Sequence, residues 1–373
     1  MSFAEVLEIH PESALRALGE GACLADVDAA IAREERTLRD LSVLLSPAAR
    51  PRLEAMARAA HQLTRHHFGR TISLYAPMYI SNLCAADCVY CCFSVRNETK
   101  DRRTTLRPRE IRQECEALAA HGFDNVLLLT GEAPKRVTVA RIAEAVAIAR
   151  EYFTSVSVEV YAMDQDGYAA LVDAGLEGVT LYMETYDRAT YAQVHLEGEK
   201  SIYDYRIDAI ERAGRAGARK LSIGALLGLH DLHVEVLRLA LHAKHLQKVC
   251  WRSALSLSLP RLLHTPGRFQ VLQPVGDAEL VQILLALRLF LPEVGFNLST
   301  RERPALRDRL IPLGVTAMSA GSSTRPGGYA TRGEDVLEQF EIEDFRPVDA
   351  VVAAIRRAGY DPVWKDFDHA FVG

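Results

Sequence analysis

The sequence lacks any excess of basic charge. Its 44 lysines and arginines are outnumbered by 49 aspartates and glutamates, for a formal net charge of -5. A nucleic-acid backbone or an anionic membrane favours a concentrated positive field, so neither is expected as a partner. The basic stretch Arg96 to Arg109 (RNETKDRRTTLRPR) is the exception and reads as a solvated loop. No apolar run is long enough for a membrane span, since the longest, LVQILLALRLFL at 280–291, is broken by Gln282 and Arg288. The N-terminal stretch MSFAEVLEIHPESAL carries acids early and no apolar h-region, so it does not read as a secretory signal. A cytoplasmic location is expected. Low-complexity segments are missing too, as is any repeat shorter than a strand-helix unit.

Cysteine is also scarce, with 7 in 373 residues, but its distribution is uneven. Cys23, Cys115 and Cys250 stand alone and read as small buried apolar residues. The other four crowd into YAPMYISNLCAADCVYCCFS, residues Tyr75 to Ser94, as Cys84, Cys88, Cys91 and Cys92. In a reducing compartment such crowding points to metal ligands or catalytic thiols rather than disulfides. Cys84, Cys88 and Cys91 have the spacing C-x3-C-x2-C. Thiolates are the usual protein ligands of iron-sulfur clusters. A 4Fe-4S cube held by three of them leaves one iron open to an outside ligand. The competing reading is a structural zinc site built from all four cysteines. Such sites usually use two separated C-x2-C knuckles, and adjacent Cys91 and Cys92 would strain to share one ion.

The first 70 residues read as helical, with Ser46-Pro47 opening an Ala- and Arg-rich run to His67. From Thr71 the pattern changes. Short β-branched or Leu-rich runs at 72–80, 125–130, 156–161, 178–183, 219–227, 254–259, 295–299 and 314–320 alternate with helical segments. Helices are expected at 108–121, 137–150, 166–174, 203–216, 231–246 and 277–290. Near-continuous apolar strands separated by helices imply a covered parallel sheet. Eight such units match an α/β fold of the (β/α)8 TIM-barrel type. Periodicity leaves a doubly wound open sheet as the alternative. The expected organisation is a helical extension at 1–70, a barrel at 71–320 and a loop-rich closing segment at 321–373.

C-x3-C-x2-C with Tyr90 before the last cysteine resembles the signature of radical S-adenosylmethionine (SAM) enzymes. The likeness goes further. SLYAPMYISNLC, LLLTGE, LYMETY, GALLGL, LSLPRL, LSTRE, PGGYA, LEQFE and PVWKDFD, with LLSPAA at 44–49, are similar in order and spacing to the 2-iminoacetate synthases, the tyrosine lyases of thiazole (thiamine) biosynthesis. The family usually has glycine where this chain has Cys92, which suggests that Cys92 is a bystander.

The resemblance implies a fold and a set of roles. Cys84, Cys88 and Cys91 would hold a 4Fe-4S cluster whose open iron takes SAM. Thr130, Gly131 and Glu132 would meet the amino end of SAM's methionine moiety, and Arg206 its carboxylate. Glu159 and Glu184, at inner strand ends, would contact SAM's ribose or amine. Gly224 and Gly228 would let the adenosine approach the backbone. Arg301 would hold the substrate carboxylate bidentately, with Ser319 or Ser322 adding a hydroxyl and Tyr79 lining the same space. Arg261 and His264 are further cavity candidates.

The activity implied is radical cleavage of the Cα-Cβ bond of L-tyrosine to 2-iminoacetate and p-cresol. A flavodoxin or ferredoxin would supply the electron, and a thiazole synthase partner would receive the imine. A tryptophan lyase of antibiotic biosynthesis and a zinc-binding scaffold are the alternatives. The tyrosine lyase of iron-iron hydrogenase maturation is disfavoured, because it carries three more cysteines in a C-terminal domain and none follows Cys250 here.

Overall fold

Apolar runs too short to be helices become strands, because branched and leucine side chains pack well on a pleated, covered surface. The computed structural model describes residues 2–97, 102–263, 269–271, 273–330 and 335–364. In chain order the strands are β1 (Thr71–Ser81), β2 (Asp87–Cys88), β3 (Asn125–Thr130), β4 (Ser155–Glu159), β5 (Gly178–Thr180), β6 (His195–Glu197), β7 (Lys220–Gly224), β8 (Ala254–Ser258), β9 (Gly295–Leu298), β10 (Ala317–Ser319) and β11 (Asp361–Val363). Strands β1, β3, β4, β5, β7, β8, β9 and β10 pair in parallel in that order, and β10 returns to β1 through Ser73 opposite Ala317. The sheet is therefore a closed barrel, not the open doubly wound alternative. β2 and β6 form a small antiparallel pair beside it.

Helices cover the outside. The first five are α1 (Phe3–Ile9), α2 (Glu12–Ala17), α3 (Leu24–Ala32), α4 (Leu38–Leu45) and α5 (Leu53–Phe68). They are followed by α6 (Pro108–Ala120), α7 (Val139–Arg150), α8 (Gln165–Asp173), α9 (Arg188–Val194), α10 (Tyr203–Ile207), α11 (Ala209–Arg215), α12 (Leu232–Val249), α13 (Asp277–Phe290), α14 (Pro304–Leu310) and α15 (Val348–Arg357). The core lies between the outer wall of the barrel and these helices. Ile72, Leu74, Leu128, Val156, Val158 and Leu257 are fully buried there. None of the described helices is long and apolar enough to cross a membrane.

The N-terminal helices are docked on the barrel layer rather than hung from it. α4 and α5 pack on α13, and α1 packs on α12. Glu12 on α2 lies 3.3 Å from His230 and 3.6 Å from Arg238, which also lies 3.8 Å from Asp187. Among the described residues Glu12, Asp187 and His230 are the group whose ligand atoms lie close enough to share a metal ion. Arg238 already supplies the positive charge between the two carboxylates.

Several expectations are corrected. The segment 203–216 is two helices divided at Asp208, not one. The last expected strand, 314–320, shortens to β10 because Gly314 turns the chain at φ 131°. The segment after Gly321 is not only loop. It contains α15 and then β11, which lies parallel to the first residues of β1. Cys23 is exposed rather than buried, whereas Cys115 and Cys250 are buried as expected.

Candidate active site

Parallel strands in a barrel deliver their C-terminal ends to one face, and the loops leaving them meet there. The loop after β1 carries the clustered cysteines and is tied to its neighbours by its backbone. Gly131 N-H donates to Ser81 O at 3.1 Å, and Ala85 N-H donates to Glu132 O at 2.7 Å. The two segments come so close that a Cβ on Gly131 would stand 2.3 Å from Leu83 O. Gly131 thus acts by letting the cysteine loop lie against the end of β3. Arg103 completes the frame by donating to Asn82 O, Phe93 O and Ser94 O at 2.6 to 2.9 Å. The reading of its segment as a solvated loop is therefore corrected at Arg103, which is half-buried and holds the cysteine loop in shape.

Cys84, Cys88 and Cys91 line one small pocket of about 70 Å³ together with Thr130, Gly131, Glu132, Glu159, Glu184 and Arg206. Cys92 is absent from it and lines the adjoining larger cavity instead. Burial pushes all three pocket thiols up, Cys91 to about 12, so they need a cation to become thiolates. Their sulfurs do not all lie within 4.8 Å of one another. Tetrahedral zinc with sulfur at ~2.3 Å would bring its ligands to about 3.8 Å apart. The hydroxyl of Thr130, buried in the same pocket, has no hydrogen-bond partner among the described residues. Three widely set thiols beside an unpartnered polar atom fit a multi-iron cluster with a further ligand, and do not fit a single zinc ion.

Charged groups surround the pocket in pairs. Arg206, 5% exposed, donates to Glu132 at 2.7 Å and to Tyr182 O at 2.9 Å. Lys200, which sequence reading missed, bonds Glu184 at 2.8 Å, and Glu184 is the one described non-glycine residue with a left-handed backbone (φ 68°). Glu159 has no such partner among the described residues. Burial first, and then the Glu184 carboxylate, push it up to about 7 against the pull of Lys200, Arg301 and Arg206. Tyr90 donates to His195 Nε2 at 2.7 Å. Burial and the nearby Lys200 and Arg206 charges keep that imidazole neutral, so its Nδ1-H faces Tyr191 O at 3.1 Å.

The larger cavity, about 230 Å³, holds the remaining candidates: Tyr79, Arg301, Ser319 and Ser322 all line it. It shares Cys91, Glu159, Glu184 and Lys200 with the cysteine pocket, so the two spaces adjoin. Tyr79 donates its hydroxyl to Gln339, and Gln339 O accepts from Cys92 N-H. Arg301 stacks over Phe340, with its guanidinium carbon 3.8 Å from the ring centroid. No side-chain hydrogen bond to a described residue is made by that guanidinium. Ser319 is committed to accepting from Thr300 N-H at 3.1 Å, while the buried hydroxyl of Ser322 has no partner among the described residues.

Three weaker candidates fall away. Arg261 does not reach the cavity, because Glu302 holds it through two bonds of 2.6 and 2.8 Å. At Gly224 the space is already filled, since a Cβ would meet Ser258 O at 2.6 Å and the Tyr182 ring at 2.8 Å. Gly228 is turned to φ 117° against Val271 and is a turn residue. His264 and most of the WKDFD segment lie outside the described residues. Gln339 and Phe340 were not assigned from sequence, although they sit inside the noted stretch LEQFE.

A family model described as the Radical SAM superfamily matches residues 78–240, and one described as the Biotin and Thiamin Synthesis associated domain matches residues 258–361. The 2-iminoacetate synthase of Escherichia coli (strain K12) is 43% identical over 349 residues, 93% of this chain and 92% of that one. The chain belongs to the 2-iminoacetate synthase family. It is accordingly a radical SAM carbon-carbon lyase, and the family implies a 4Fe-4S cluster and SAM. The FeFe-hydrogenase maturase HydG from Carboxydothermus hydrogenoformans is similar over 97% of this chain and 82% of its own, with a TM-score of 0.84 and 29% identity. A methylornithine synthase structure shares the fold at a TM-score of 0.72 and 23% identity, covering 91% of this chain and 97% of that one.

Proposed function

We propose that this member of the family cleaves the Cα-Cβ bond of L-tyrosine. The products are 2-iminoacetate and p-cresol, SAM is consumed to 5'-deoxyadenosine and methionine, and the imine feeds thiazole formation for thiamine. The observation that carries the reading is Arg301. It is a guanidinium with no side-chain hydrogen bond to a described residue, stacked on Phe340, in a cavity adjoining the three-cysteine pocket.

When bound, the cluster and SAM supply a carbon-centred radical able to remove a hydrogen atom from the substrate amino group. The chain's own residues position and shield. Cys84, Cys88 and Cys91 would hold the cluster, with Thr130, Gly131, Glu132 and Arg206 at the methionine end of SAM and Glu184 beside it. Arg301 would take the tyrosine carboxylate fork to fork, fixing the amino group relative to the radical source. Ser322 offers a spare hydroxyl to the same carboxylate. Glu159, poised near neutrality, can hold a proton from the amine of SAM or of the substrate. Tyr79 and Gln339, joined by a hydrogen bond, line the cavity and would help to shield it from water.

The imine hydrolyses readily, so direct hand-over to a thiazole synthase partner suits the chemistry, and a flavodoxin or ferredoxin would supply the electron. The test is anaerobic reconstitution with iron and sulfide, followed by SAM, dithionite and either tyrosine or tryptophan. p-Cresol and 5'-deoxyadenosine from tyrosine are expected. 5'-Deoxyadenosine without p-cresol would overturn the substrate, and one equivalent of zinc without absorbance near 400 nm would overturn the radical chemistry.

A further inference from the structure

A guanidinium meets a carboxylate fork to fork only if it arrives at a fixed place, yet Arg301 stands on a loop, between the end of β9 at Leu298 and the start of α14 at Pro304. Its side chain has several rotatable bonds, and ordering it costs entropy. Contacts from outside the loop must hold it. Stacking on Phe340 fixes the outer end. Phe340 belongs to the segment that follows the barrel, and that segment is bonded back on itself, with Gln339 N-H donating to Thr324 O at 3.0 Å and the Thr324 hydroxyl donating to Phe340 O at 2.9 Å. The inner end is held through Thr300, the residue before Arg301. Thr300 O accepts from Glu343 N-H at 3.0 Å and from Asp344 N-H at 3.1 Å, while Thr300 N-H donates to Ser319 Oγ.

Asp344 closes this arrangement. It is fully buried, and its carboxylate accepts from Arg307 on α14 and from Arg346 Nε and Nη2 at 2.9 and 2.7 Å. Burial alone would push the carboxyl up, but Arg346 and Arg307 outweigh it and hold it below the usual carboxylate range. Arg307 is fully buried as well and extends its other arm to Ser319 O. Arg346 is anchored in turn on Asp308 at 2.9 and 3.1 Å. One residue therefore grips the loop on both sides of Arg301, with its N-H at Thr300 and its carboxylate at Arg307. Neither Asp344 nor Arg307 lines the catalytic cavity.

Desolvating two buried charges offsets most of their attraction, so the pair of Asp344 and Arg307 is a weak source of stability. We propose that what it supplies is position. Asp344 is a positioning residue for substrate recognition: it clamps the loop at Thr300 and Arg307, carries Phe340 on its own segment, and so sets the Arg301 guanidinium where an amino-acid carboxylate binds. The proposal rests on the tyrosine-lyase reading and adds that the grip on the substrate is assembled by the C-terminal segment, not by the barrel alone.

The test is a double-mutant cycle on reconstituted holoenzyme, with p-cresol formation followed against tyrosine and against SAM concentration. Asp344→Asn keeps the size and the backbone bonds and removes the charge. It should raise the tyrosine concentration needed for half-maximal rate roughly tenfold, with SAM dependence and iron content within about twofold of wild type. Added to Arg301→Ala it should raise that concentration no further, because the group it positions is already gone. If Asp344→Asn fails to fold because Arg307 is left as a lone buried charge, Asp344→Asn with Arg307→Gln removes both charges, and the same cycle on that variant carries the same expectation. Effects that multiply with Arg301→Ala overturn the positioning role, as do equal damage to the tyrosine and SAM dependences or an unchanged tyrosine dependence in the Asp344 variant. Absence of p-cresol from wild-type enzyme, or an unchanged tyrosine dependence in Arg301→Ala, overturns the substrate reading first, and the proposal with it.

Discussion

Replacing Gly131 by alanine should damage the site without removing any charged or ligating group. An ideal Cβ at this position lies 2.3 Å from Leu83 O, 2.9 Å from Leu83 C and 3.0 Å from Cys84 Cβ. The first contact falls about 1 Å short of ordinary van der Waals separation, and the obstructing atom is backbone, which cannot rotate away. The loop must therefore slide outward, straining the 3.1 Å bond from Gly131 N-H to Ser81 O and the 2.7 Å bond from Ala85 N-H to Glu132 O. Overpacking of this kind costs ~1–3 kcal/mol of stability. A displacement near 1 Å at a ligand position lowers a rate by roughly a hundredfold. Iron content and absorbance near 400 nm after anaerobic reconstitution, with 5'-deoxyadenosine formation as the rate, measure both effects. Gly131→Ala with full iron and a rate within about twofold of wild type would refute the close-approach argument.

Other perturbations separate the remaining roles. Arg301→Ala should raise the tyrosine concentration needed for half-maximal rate by roughly 10- to 100-fold, the loss of a charge-assisted pair, while SAM dependence stays nearly unchanged. Equal damage to both would place Arg301 elsewhere. Cys92→Gly should keep iron content and chromophore, because Cys92 faces the larger cavity and not the trio. A bleached product would make it a ligand. Burial pushes Glu235 up to about 7 from an ordinary 4.5, despite bonds from Tyr186 N-H at 3.0 and 3.1 Å and from the Thr185 hydroxyl at 3.1 Å. The folded state therefore binds its proton more tightly than the unfolded one. That contribution is complete below pH 4.5 and is lost as pH rises to 7, about 3 kcal/mol at full size. In urea titrations the wild type should lose this margin over Glu235→Gln across that window, and parallel pH profiles would contradict it.

What could be read from the chain depended on how far apart the interacting residues lie. The C-x3-C-x2-C spacing and the strand runs are local, so the three-cysteine pocket and the barrel were legible. Lys200 was not, since its value comes from meeting Glu184 16 positions away, with α9 and β6 between them. Gln339 meets Tyr79 from 260 positions away, and nothing near either residue announces the contact. Arg103 looked like one charge among many until its three carbonyl partners appeared. The helix α15 did leave a trace. Val348, Val351, Val352 and Ile355 recur at helical spacing and all four are buried, and Gly359 follows the helix at φ 81°. The break at Asp208 left none, as neither proline nor glycine marks it.

The position of Gln339 has a consequence for how such a chain is made. The segment that seals the cysteine end of the barrel, and the β11 strand that seats beside the opposite end of β1, both follow the barrel in the order of synthesis. At roughly 5–20 residues per second, a ribosome needs about 13–50 s to travel the 260 positions from Tyr79 to Gln339. For that interval the cysteine loop of the nascent chain has no cover from the segment that will later shield it. Iron and sulfide thus meet a less covered loop before the polypeptide is finished, and in the finished chain they must enter past that segment.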